Sequence, residues 1–397
     1  MRFELALAAL LSVALAAPVA NEAPVLRPRE GHAVPGKYIV KFKHDALDDV
    51  FQKALQFLNK GPEHVYGFGK YKGFAAELAD DLVDILRKLP GVEYIEQDAI
   101  VQANFGIQQR AYQSQSGAPW GIARISHVNR GSTDYQYDDS AGAGTCAYVI
   151  DTGIYTAHSE FEGRATHLAN YAGDGSTADG NGHGTHVSGT IGGKTYGVAK
   201  KTKLYAVKVL NAQGSGSNSG VIAGINFAAN DQKTRSCPNG AVANMSLGGS
   251  KSTAVNSAAA NAVSAGLFLA VAAGNEAQNA ANSSPASEPS VFTVAASDSS
   301  DRIASFSNYG SVVDAFAPGV SILSAWIGGT TRTNTISGTS MASPHVAGLA
   351  AYLLGLEGKK SPAALSSRII ELASTNKISG APSGTPNRLV FNGNPSG

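Results

Sequence analysis

The 397-residue sequence predicts an α/β fold: a mostly parallel sheet with helices on both faces, preceded by a small α+β ferredoxin-like domain. Three observations carry this expectation. Apolar runs at 146–151, 204–209, 243–247, 267–271 and 291–295 alternate with helical segments at 184–193, 219–231, 252–265, 339–356 and 362–373. Continuous apolar strands separated by helices indicate a parallel sheet covered on both sides. Upstream, residues 38–101 read strand, helix, strand, strand, helix, strand, the split βαβ order. Glycine-rich polar motifs fall just after the later strands, where such sheets place their ligand clefts.

Taken in order, residues 1–16 form a signal peptide. Arg2 supplies a basic start, an apolar run follows, and Ala14-Leu15-Ala16 offers a small-residue cleavage pattern. The run is shorter than the roughly 20 residues a membrane span needs, so a secreted, extracellular product with no membrane partner is expected. Residues 17–37 are a connector, Pro-rich and charged from residue 22. In the 38–101 domain, 38–43 alternates as a strand. Residues 45–59 form an amphipathic helix with Leu47, Val50, Phe51, Leu55 and Leu58 on one side. Residues 64–78 give two strands about Gly69 or Gly73, a helix over 80–89 stops at Pro90-Gly91, and a strand follows over 92–101. A polar linker over 102–117 then leads into the large domain, 118–397.

Apolar residues make up 43% of the chain and charged residues 15%, enough for a large core and too ordered a balance for a disordered protein. The formal net charge of +1 gives no electrostatic reason to expect a nucleic-acid partner. Only two cysteines occur, Cys146 and Cys237; in an exported chain an even count predicts a disulfide, the alternative being two buried thiols. Asn244 and Asn282 open glycosylation sequons, the first inside a predicted strand and the second followed closely by Pro285.

Three motifs carry chemistry together. Val149-Ile150-Asp151-Thr152-Gly153 puts a carboxylate at a strand end. Gly182-His183-Gly184-Thr185-His186 puts a histidine at a helix start, with glycines that permit close backbone approach. Gly338-Thr339-Ser340-Met341-Ala342-Ser343-Pro344 puts a serine at the opening of a long apolar helix, with Pro344 expected in the first turn. A serine nucleophile needs a neighbouring base, and the base needs an orienting anion. The order Asp, His, Ser is the subtilisin order, and Ala342 breaks the Gly-x-Ser-x-Gly elbow of the α/β-hydrolases. Singly, Asp151 reads as a turn residue and Ser340 as a helix cap. His183 with His186 suggests a metal pair, but the zinc-protease HExxH spacing is absent. His186 and His345 read as core histidines.

The three motifs resemble those of the subtilisin-like serine proteases, specifically the proteinase K branch, and 38–101 resembles that family's inhibitor propeptide. The resemblance implies a secreted serine endopeptidase made as an autoinhibited zymogen. Asp151, His183 and Ser340 form its catalytic triad, and Asn275 lines the oxyanion hole. Its partners would be protein and peptide substrates and its own propeptide, and a monomer is expected. Gly214, Ser215 and Gly216, with Ser246, Leu247 and Gly248, resemble the two edges that hold a peptide by strand addition. With Gly274 they imply an open first pocket without charge at its base, hence broad cleavage after apolar or aromatic residues. Asp314 with the carbonyls of Pro289 and Val291 matches a structural Ca²⁺ site of the branch, and no cofactor is expected for catalysis. Val187 and Phe292 stand where relatives often carry cysteines, and no acid near the C-terminus matches the branch's second calcium site. An esterase, or a catalytically inactive scaffold, are the rival functions.

Overall fold

The structure is a computed structural model and describes residues 22–28, 33–68, 71–99 and 112–397. The expected signal peptide lies outside the described residues. The chain divides into two compact units, Met1–Ile107 and Gln108–Gly397.

In the first unit, β1 (Val25–Leu26) and β2 (Ala33–Phe42) precede α1 (Asp48–Gln56), then β3 (His64–Phe68), β4 (Tyr71–Glu77), α2 (Asp80–Leu86) and β5 (Val92–Ala99). The sheet order β1-β5-β2-β4-β3 is the ferredoxin-like order with one extra edge strand. That strand, β1, and the start of β2 fall in the expected connector; β1 pairs parallel with β5. Helix α1 is shorter than expected because Asp48 and Asp49 start it, next to the positive end of the helix dipole. Leu47 thus becomes an exposed N-cap, while Phe51 and Ala54 enter the core. Gly73 lies inside β4, where a Cβ would press on the Val40 carbonyl, so the chain reverses before it, between Phe68 and Tyr71.

The second unit opens with β6 (Tyr112–Ser116), which pairs antiparallel with β7 (Asp134–Asp138) across the short helix α3 (Trp120–Arg124). The expected linker therefore contains a strand of this unit. Next come β8 (Thr145–Asp151), β9 (Ala165–Asn170), α4 (His183–Gly192), β10 (Lys203–Lys208), α5 (Asn218–Asp231) and β11 (Gly240–Met245). They are followed by β12 (Gly249–Ser250), α6 (Thr253–Ser264), β13 (Phe268–Ala272), β14 (Ser283–Ser284), β15 (Phe292–Ser297) and β16 (Ala315–Pro318). The chain closes with β17 (Ile322–Ala325), β18 (Thr333–Ile336), α7 (Thr339–Glu357), α8 (Pro362–Leu372), β19 (Ser374–Thr375) and β20 (Arg388–Leu389).

Nine strands form one sheet, order β19-β20-β16-β15-β13-β11-β8-β10-β9, parallel except where β19 meets β20. Its central strands, β8, β11, β13, β15 and β16, are buried on both faces. Along β8, Ala147 and Val149 point into a core shared with α4, α7 and α8, while Cys146, Tyr148 and Ile150 point into one shared with α5 and α6. This alternation is the two-residue period of a strand between two helical layers. A disulfide joins Cys146 in β8 to Cys237 beyond α5, closing a separation of 91 residues. In the chain-entropy account, a loop of that size adds roughly 4 to 5 kcal/mol. Among the described residues no helix is long and apolar enough to cross a membrane.

Candidate active site

Asp151 ends β8, fully buried. Its Oδ1 accepts the N–H of Thr152 at 2.7 Å and faces His183 Nδ1 at 2.8 Å. His183 is the first residue of α4, preceded by Gly182 at φ 102°, a left-handed value that favours glycine. A Cβ on Gly182 would also run into the Trp326 ring. The His183 side chain keeps 23% of its surface exposed. Burial is the largest influence on its pKa and disfavours the imidazolium. The charge and hydrogen bond of Asp151, with the charge of Asp179, outweigh it and raise the pKa above the ordinary value.

His186 and His345, the two further histidines of the motifs, are spent in the core, as expected. His186 Nε2 meets the Ile322 carbonyl at 3.0 Å and His345 Nδ1 the Met341 carbonyl at 2.8 Å. Burial pushes both down to about 4.

Ser340 is the second residue of α7, so its N–H has no acceptor within the helix. Its hydroxyl donates to the Ser246 carbonyl at 3.1 Å, and the Ser246 hydroxyl donates to the Ser340 carbonyl at 2.7 Å. This corrects the expectation for Pro344. It is the sixth helical residue, past the first turn, and its missing N–H would have bonded the carbonyl of Ser340. The Ser246 hydroxyl takes that place. Asn244 Nδ2 donates to Ser246 Oγ at 2.9 Å, and Asn244 Oδ1 accepts from the Ser343 hydroxyl at 2.8 Å. The first sequon asparagine is thus wholly buried.

Asn275 follows β13. Its Oδ1 accepts both the N–H (2.8 Å) and the hydroxyl (3.0 Å) of Thr339, which turns the oxygen toward α7 and leaves the amide N–H group for the cavity it lines with Ser340. Two adjoining cavities form the cleft. One, about 430 Å³, is lined by His183, Gly214, Ser215, Gly216, Ser246 and Leu210 among others. The second, about 410 Å³, is lined by Gly274, Asn275, Glu276 and Ser340. Leu247, Gly248 and Gly249 belong to both, with His183 lining the first and Ser340 the second.

One charged residue that the expected lining did not include stands in the cleft. Glu276 lines the second cavity, its carboxylate accepting from Asn308 Nδ2 at 2.7 Å. Its place one residue beyond Asn275 is visible in the sequence, but its entry into the cavity lining is not. Gly274 is required there twice over, by φ 106° and because a Cβ would collide with Asn308.

Asp314 lies opposite Thr293 across the β15–β16 pair, its carboxylate accepting the Thr293 N–H at 2.7 Å two residues after Val291. Burial raises its pKa to about 6 against the Thr293 hydrogen bond and the charge of Arg388. Asp314 is thus a lone carboxylate held two residues along from Val291, an oxygen donor of the kind a hard cation takes, and among the described residues no group of three or more His, Cys, Asp or Glu side chains could hold a metal ion.

A buried aspartate against the first histidine of a helix, and a serine at the start of another beside a side-chain amide, are the parts from which a serine hydrolase builds its site. Residues 142–391 match the Subtilase family and residues 37–104 match Peptidase inhibitor I9. The chain is 58% identical over 400 residues to the subtilisin-like serine protease AsES of Sarocladium strictum, covering all of both chains. It is 54% identical over 393 residues to a cuticle-degrading protease of Metarhizium anisopliae, covering 98% of this chain and 99% of that one. A crystal structure of a cold-adapted subtilisin-like serine proteinase matches with a TM-score of 0.66 and 46% identity, over 70% of this chain and 99% of that one. The chain belongs to the subtilase family, in its proteinase K branch, and carries an I9-type inhibitor domain.

Proposed function

We propose that Asp151, His183 and Ser340 are the catalytic triad of a secreted, broadly acting endopeptidase that frees itself from its own inhibitor domain. The observation that carries this is the 2.8 Å contact of His183 Nδ1 with Asp151 Oδ1, which leaves Nε2 as the basic nitrogen toward the cleft. Ser340 Oγ turns from its resting bond with Ser246 and attacks the scissile carbonyl carbon while His183 Nε2 takes its proton. The oxyanion receives the Asn275 amide and the Ser340 N–H, donors whose single loss costs about 2.7–4 kcal/mol of barrier elsewhere. The carbon–nitrogen bond then breaks as His183 returns the proton to the leaving amine, and water releases the acyl group by the same steps in reverse.

Specificity follows from the linings. The glycine-edged segments 214–216 and 246–248 suit an extended peptide added as a strand. A roomy pocket bounded by Ala272, Gly248 and Gly274 suits large apolar or aromatic side chains, and Glu276 extends tolerance to basic ones. Asp314 with the carbonyls of Pro289 and Val291 would hold Ca²⁺, which would neutralise the buried carboxylate and brace the loop between β14 and β15. A maturation cut between Phe105 and Gly117 is proposed, and one before Tyr112 would keep β6 paired with β7.

The test is expression of full-length wild type and Ser340→Ala in a protease-free host, with N-terminal sequencing and casein digestion. The reading expects an accurately cut, active wild type and an uncut, inactive variant. Identical processing of the two overturns self-cleavage, and casein digestion by the variant overturns the triad.

A further inference from the structure

Asp179 stands four residues before His183 and takes no part in the reaction above. Its side chain is buried, with the residue 6% exposed, yet it gathers five donors. Oδ1 accepts from the Thr152 hydroxyl (2.8 Å), the Asn181 N–H (3.1 Å) and the Gly182 N–H (2.8 Å). Oδ2 accepts from the Thr185 N–H (2.9 Å) and the Thr185 hydroxyl (2.6 Å). Capping a helix needs only one or two of these, all from the helix itself. The Thr152 bond is of another kind, because Thr152 is the residue after Asp151. Its hydroxyl also accepts the Gly184 N–H at 2.8 Å, from the residue after His183.

The seam between these segments is main chain against main chain. Gly153 has φ 111° and sits where a Cβ would press on the Asp179 main chain at 3.2 Å. A Cβ on Gly184 would collide with the Gly153 carbonyl. The Asp179 carboxylate joins the Gly184-to-Thr152 and Tyr155-to-Thr185 hydrogen bonds in holding so close an approach in register, and burying a carboxylate is costly unless its lone pairs are filled.

We propose that Asp179 is a positioning residue of this active site, its carboxylate fixing the strand end that bears Asp151 to the helix start that bears His183. This rests on the reading of those two residues as the catalytic pair. The charged and titratable groups around the imidazole are Asp151 from β8, Asp179 before α4, and His186 within α4, which burial keeps neutral. Behind them Lys208 of β10 donates to the Thr152 carbonyl at 2.9 Å and pairs with Asp174 at 3.1 Å. Asp179 thus adds negative charge near the imidazolium besides setting the distance.

The test is steady-state kinetics of full-length, matured Asp179→Asn, with rates counted per serine titrated by a covalent inhibitor. Misplacing a catalytic pair by about 1 Å costs about 100-fold, so kcat should fall on that order with KM little changed. The acid limb of kcat/KM should move to lower pH. An unchanged kcat, or a lowered kcat with an unmoved acid limb, would overturn the proposal, whatever happens to thermal stability. Should Asp179→Asn fail to fold, Thr152→Val and Thr152→Ser decide. Loss in the valine variant with rescue by serine supports the clamp, and wild-type kinetics in the valine variant refutes it. His183→Ala, with its rate counted per total protein because its serine is not expected to take the inhibitor, keeps the two ideas apart. If it stays active the catalytic-pair reading falls; if it is dead while the Asp179 and Thr152 variants are normal, only the clamp falls.

Discussion

Ser246 and Ser340 exchange hydrogen bonds: each hydroxyl donates to the other's carbonyl, at 2.7 Å from Ser246 and 3.1 Å from Ser340. The first bond serves a carbonyl that Pro344 leaves without its helical donor, and the second parks the nucleophile. Ser246→Ala should therefore act twice. Leaving a buried carbonyl unpaired costs about 1–3 kcal/mol, visible as a lower urea midpoint. A helix start free to shift should also lower kcat about tenfold, the equivalent of about 1.4 kcal/mol of barrier. Wild-type stability and kcat in this variant would show that the exchange is incidental.

Activity should rise with pH through a value above the ordinary histidine pKa, because His183 must be neutral to act as base and its pKa is raised. A kcat/KM profile measured with an uncharged substrate checks this; a midpoint below 6.5 contradicts it.

Stability carries the opposite sign at the core histidines. His186 and His345 bind protons near pH 6.5 when unfolded and only near 4 when folded. Acidification between those limits therefore favours the unfolded chain, by up to about 3 kcal/mol per residue, and the penalty levels off below. His183 opposes this in part, since its raised value adds stability below pH 6.5 that is lost as pH rises through the folded pKa. Urea unfolding of Ser340→Ala from pH 7 to 4 should show a falling midpoint. A flat midpoint contradicts the account.

Glu276 gives the specificity prediction. Glu276→Gln should lower the ratio of kcat/KM for lysine over phenylalanine before the scissile bond by about tenfold at low salt, as expected for one partly screened charge, and less at high salt. An unchanged ratio removes the residue from the pocket's selectivity.

Much of this was legible in the sequence, and the exceptions have physical reasons. The parallel sheet was plain because strands such as β8 are apolar on both faces, and the triad motifs sit at strand and helix ends where local pattern finds them. Strand β1 was hidden because two residues, Val25–Leu26, are too few to show a period, and β6 because Tyr112–Ser116 holds only one large apolar side chain. The Glu276 charge was missed because a pocket lining depends on chain reversals that no local window records. The partner of the Ser340 carbonyl was invisible for the same reason, lying 94 residues away. Asp179, in its glycine-rich loop, carries no local signal of the five donors it gathers.

Calcium is tested by chelation. Removal of divalent ions should lower the thermal midpoint of wild type by several degrees and leave Asp314→Asn unmoved, since a ligand bound only to the native state stabilises it by mass action. Equal midpoints in wild type with and without chelator contradict the site.

Labelling with a fluorophosphonate, which forms a covalent bond only to an activated serine, tests the central claim most directly. Peptide mass spectrometry should find one adduct, on Ser340, with casein hydrolysis lost in proportion to labelling and no adduct in His183→Ala. Full proteolytic activity with Ser340 unlabelled, or an adduct on another serine that alone tracks the loss of activity, would contradict it.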